Sequence, residues 1–84
     1  MPRFLVETYS PRSRAREARS TGRVVHAAAD DLAREGTPVS YVRMTFLPDD
    51  EMCFYVFEAA SEEAVAEVFR RAGIGSGRIV PAVE

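Results

Sequence analysis

The stretch "MCFYVFEAASEEAV", Met52 to Val65, runs from a strand into a helix, and its strand half is apolar at every position instead of every second one. A strand packed on one side alternates apolar and polar residues. An unbroken apolar run needs cover on both faces. The helix half begins at Ser61, a good N-cap, with Glu62 and Glu63 in the first turn where carboxylates favour the helix dipole. Val65, Val68, Phe69 and Ala72 then form one apolar stripe, closed by Arg70, Arg71 and Gly73.

Upstream, Val39 to Leu47 is β-branched and aromatic and "PDDE" makes a turn, so Met52 to Glu58 is its antiparallel partner. Before that, Ala18, Val25, Ala28, Ala29 and Leu32 recur at helical spacing between about Arg14 and Glu35, with Gly36 as the stop. Gly22 weakens this helix by roughly 1 kcal/mol relative to Ala. The chain opens with a strand over Arg3 to Tyr9, followed by the turn "SPRS". It ends in "RIVPAV", a short strand whose Pro81 suits a sheet edge, reached through the flexible connection Gly73 to Gly77. The expected order is β-α-β-β-α-β: one α+β domain over 1–84, ferredoxin-like, with a four-stranded antiparallel sheet and both helices on one face.

Taking the more apolar parity of each strand as helix-facing assigns Phe4, Val6, Val42, Met44, Phe46, Phe54 and Val56 to the core. The other face then gathers Leu5, Glu7, Tyr9, Tyr41, Arg43, Thr45, Cys53, Tyr55 and Phe57. Such a mixed face is too apolar for water, and the expectation is a homodimer enclosing a small-molecule pocket lined by Glu7, Tyr9, Tyr41, Arg43 and Tyr55. Its bland counterpart is a Glu7 to Arg43 ion pair inside a filled interface.

Composition bounds the function classes. The 84 residues make one domain near the lower size limit for an unaided core, for which oligomerisation is a standard remedy. The net charge of -2 gives no general attraction to nucleic acid or anionic membranes, and Arg12, Arg16, Arg19 and Arg23 read as a solvated helix face. One cysteine and no apolar core for a signal peptide point to a reduced, cytoplasmic setting. His26 and Cys53 are the available soft metal ligands, too few for a closed site from one chain. Their bland readings are a half-solvated surface histidine and a small buried thiol.

"MPRFLVE" and "EAASEEAVAEVFRRAGIGSGRI" resemble a family of small bacterial domains of unknown function that includes actinobacterial nickel-binding proteins. The resemblance spans nearly the whole chain and implies a dimeric α+β barrel, two sheets packed face to face, with nickel as the implied metal. Departures are specific. The nickel-associated members are rich in histidine, Tyr55 stands where they carry a cysteine, with Cys53 two residues earlier, and Ala60 replaces the usual proline. Three function classes follow: a dimer binding a small ligand or metal ion, a cofactor-independent barrel enzyme with a tyrosine or Glu7 as acid or base, and a structural interaction module.

Overall fold

A computed structural model describes residues 1–83; the last residue of the expected domain, Glu84, lies outside them. Strands β1 (Arg3–Tyr9), β2 (Val39–Leu47), β3 (Met52–Ala59) and β4 (Arg78–Ala82) form one antiparallel sheet in the order β2-β3-β1-β4. Helices α1 (Ala18–Arg34) and α2 (Glu62–Ala72) cover one side of it, as the ferredoxin-like reading requires. Residues 14–17, expected to open the first helix, instead belong to a 3-10 segment, Arg12–Glu17, with a break at Arg14. No buried side chain anchors that stretch, so its geometry follows the turn that Glu51 holds by accepting from the Arg12 N–H at 2.8 Å.

Both helices are fixed by the residues that periodicity selects. Val25, Ala29 and Leu32 of α1 and Val65, Val68 and Phe69 of α2 are buried, each complete burial of a Val, Leu or Phe side chain contributing about 1.5–3 kcal/mol. The Ser61 hydroxyl accepts from the Ala64 N–H at 3.2 Å, and Gly73 closes α2 in the left-handed region. Gly22 has a steric reason to interrupt α1. A Cβ there would lie 3.1 Å from Met44 Sδ and 3.5 Å from the Tyr41 hydroxyl, so the helix rests directly on β2 at this point. Arg71 and Glu35 pair across the C-terminal ends of the two helices.

The sheet corrects two face assignments. In β3 the buried parity is Cys53, Tyr55, Phe57 and Ala59, while Phe54 and Val56 face away from the helices. In β2 a bulge between Tyr41 and Arg43 inserts Val42 as an extra residue, so Tyr41 lies opposite Phe57 and Arg43 opposite Val56. Parity changes across a bulge. Val39 and Tyr41 therefore share the helix side with Met44 and Phe46, although their numbers differ in parity. Phe4, Val6, Met44 and Phe46 stand as expected.

Candidate functional site

Register now defines two surfaces. On the helix side, cross-strand rows run Tyr41–Phe57–Phe4, Met44–Tyr55–Val6–Ile79 and Phe46–Cys53–Thr8. On the open side they run Ser40–Glu58–Arg3–Ala82, Arg43–Val56–Leu5–Val80 and Thr45–Phe54–Glu7–Arg78. The five residues expected to line one pocket are therefore divided. Glu7, Tyr9 and Arg43 lie on the open face, and Tyr41 and Tyr55 lie on the helix side.

The open face is half-buried and apolar through its centre, at Leu5, Phe54, Val56 and Val80. Glu7 pairs with Arg78 at 3.4 Å, so the expected Glu7 to Arg43 ion pair is not formed. A second pair, Arg3 with Glu58 at 3.4 Å, lies on the far side of the central row. Arg43 ends that row, exposed and with no carboxylate partner among the described residues. Tyr9 is 70% exposed at the end of β1.

On the helix side, aromatic rings form a connected set. Tyr41 meets Tyr55 and Phe57 edge-on, and both of these meet Phe69 of α2. His26 stacks on Tyr41 with ring centroids 4.5 Å apart and planes 10° apart, and its Nε2 lies 3.7 Å from Asp30. It is a surface imidazole held by one ring and one carboxylate. Cys53 sits apart from it, 3% exposed beside Thr8 and Tyr55, and the Thr8 hydroxyl donates to the Cys53 carbonyl at 3.1 Å. Among the described residues no three His, Cys, Asp or Glu side chains gather as a metal site.

Burial controls the acids here. It pushes the Cys53 thiol up. It pushes the Tyr55 phenol well above its usual range, reinforced by the neighbouring Cys53, and raises Tyr41 for the same reasons. Cys53 is a thiol and not an activated nucleophile. Together Thr8, Cys53 and Tyr55 floor a cavity of about 300 Å³ between the 3-10 segment and the loop after α2.

Arg78, Val80 and Thr8 were not among the expected site residues. Thr8 shares the parity of Phe4 and Val6, so alternation already placed it on the buried side. Glu58 carried the other missed signal: it shares the parity of Phe54 and Val56, and a carboxylate at the end of that set marks the water-facing side.

No curated protein matches the chain. A solved structure, the crystal structure of SCO4226 from Streptomyces coelicolor A3(2), matches with a TM-score of 0.78 at 20% identity, covering 98% of this chain and 99% of that one. At that identity the likeness speaks for the fold. Among the described residues no helix is long and apolar enough to cross a membrane. The family model described as "Nickel responsive protein SCO4226-like" matches residues 4–81, nearly the full described length, and the chain belongs to this SCO4226-like family.

Proposed function

We propose that the protein works as a homodimer whose two open sheet faces close on each other around a small organic anion, with Arg43 as its anchor. The observation that carries this reading is the row Arg43–Val56–Leu5–Val80, an apolar line across all four strands ending in a guanidinium that has no carboxylate partner among the described residues. Such a line exposed to water favours association. Its own twofold copy is a fitting cover, because the same patch then meets itself and the Glu7–Arg78 and Arg3–Glu58 pairs flank the contact. A guanidinium at the end of an apolar cleft binds a carboxylate or phosphate bidentately.

Nickel, the metal in the family's name, does not fit the described residues of one chain. Its preferred imidazole and thiolate donors are limited to His26, which is engaged with Tyr41 and Asp30, and Cys53, which is buried elsewhere as a neutral thiol. A face-to-face dimer does not repair this, since both residues lie on the helix side of the sheet. Only hard oxygen donors, chiefly Glu7 and Glu58, would meet at the interface, and both are already in ion pairs.

Sedimentation equilibrium with native mass spectrometry tests the proposal. Wild-type protein should be a dimer at micromolar concentration carrying a small anion. Val56→Glu should give a folded monomer, and Arg43→Ala a dimer that has lost the anion. A folded wild-type monomer at that concentration would remove the basis for the reading.

A further inference from the structure

The helix layer is interrupted over the ends of β1 and β3, where the 3-10 segment and residues 73–75 stand around a cavity instead of filling it. Its volume, about 300 Å³, is room for roughly ten water-sized groups at ~30 Å³ each. A close-packed interior would put an apolar side chain here. The chain puts the Thr8 hydroxyl, the Cys53 thiol and the Tyr55 phenol on the floor, all three residues under a tenth exposed, while Ala18, Pro11 and Ile74 give apolar walls.

We infer that this cavity is a second binding site, separate from the open sheet face, for a small neutral molecule bearing a primary amide on an apolar ring or chain. The hydrogen-bond inventory selects the amide. The Thr8 hydroxyl has spent its proton on the Cys53 carbonyl, so toward the cavity it offers only lone pairs and accepts an N–H. The Tyr55 phenol lines the same floor, and its O–H can donate to a ligand carbonyl. An ionised ligand is disfavoured. Among the described residues the one cationic side chain lining the cavity is Arg14, which is exposed and pairs with Glu17 at 3.9 Å. The apolar walls take the ring.

Benzamide and its anionic counterpart benzoate, titrated into the full chain and followed by amide-resolved NMR, form the test. Benzamide should move the amides of Thr8, Ser10, Cys53, Gly73 and Gly75 saturably, with benzoate at least about tenfold weaker, the cost of desolvating a charge. Tyr55→Phe and Thr8→Val should each weaken benzamide about fivefold, the loss of one hydrogen bond. No saturable movement up to the probe's solubility limit, movement centred on Leu5 and Val56, or benzoate binding as tightly as benzamide would each overturn the inference. If Thr8→Val does not fold, the wild-type map and the benzamide to benzoate ratio decide. Val56→Glu, which splits the proposed dimer, should leave benzamide binding unchanged, so failure at one site is distinguishable from failure at the other.

Discussion

Replacing Gly77 with Ala should come close to unfolding the protein. A Cβ built at this position lies 1.8 Å from the Glu7 carbonyl oxygen and 2.9 Å from its carbon. Backbone cannot swing aside as a side chain tip can. Restoring an ordinary contact of about 3.4 Å requires a retreat of about 1.6 Å, a third of the 4.7–4.9 Å that separates paired strands. The pairing nearest Gly77 is Glu7 with Arg78, the first of the five register pairs that hold β4 to β1. Losing about two ladder hydrogen bonds at ~1 kcal/mol each, with an overpacking cost of ~1–3 kcal/mol, gives a destabilisation of about 3–5 kcal/mol. A domain of this length has only about 4–12 kcal/mol in total. Urea unfolding followed by far-UV circular dichroism should show a loss in that range, and thermal scans a drop of about 12 °C or more. Arg78→Ala is the control: it removes the half-exposed Glu7–Arg78 pair alone and should cost no more than about 1 kcal/mol. A Gly77→Ala loss under about 1 kcal/mol would mean that the approach of this segment to β1 is not a packing constraint, and would refute the reasoning.

Gly22→Ala should behave oppositely, within about 1 kcal/mol of wild type by urea titration, because the new methyl meets the flexible end of Met44 while the helix gains about 1 kcal/mol of propensity. Cys53 and Tyr55 keep their protons in the fold to higher pH than in the unfolded chain, so their contribution is complete below the unfolded thiol value near 8.5 and is lost as pH rises beyond it. Urea midpoints should therefore fall with alkalinity, less steeply at the onset in Cys53→Ala; midpoints that rise would contradict the assignment. Calorimetry with nickel on metal-free protein should show no tight site at one ion per chain, and His26→Ala should leave the isotherm unchanged.

The helices were legible because their apolar residues recur on one stripe only, so Val25, Leu32, Val65 and Val68 admit a single orientation. The pairing of β2 with β3 followed from the turn between them, and Pro81, read as suiting an edge, does lie on an edge strand. The faces of β3 were not legible by apolarity, because Cys53, Tyr55 and Phe57 on one side and Phe54 and Val56 on the other are equally suited to burial. Glu58 was the residue that broke the tie. The bulge at Val42 has no local signature, neither glycine nor proline, and one extra residue was enough to move Tyr41 to the opposite face from Arg43. The pocket expected on a single face came apart at those two points. Its Tyr55 joined Thr8 and Cys53 in the core, and its Glu7 found Arg78 on a strand whose contribution to that face had not been considered.

The bulge has a consequence for how copies of this chain aggregate. A sheet grows into fibrils when a free edge offers a regular ladder to a neighbour. Here β2, one outer strand, is bent by the extra Val42 beside a charged Arg43, and β4, the other, lacks an amide proton at Pro81. Both rims are poor templates for a further strand. Colloidal stability in concentrated solution should thus resist edge-to-edge polymerisation, and molecules that meet are directed to stack broadside instead.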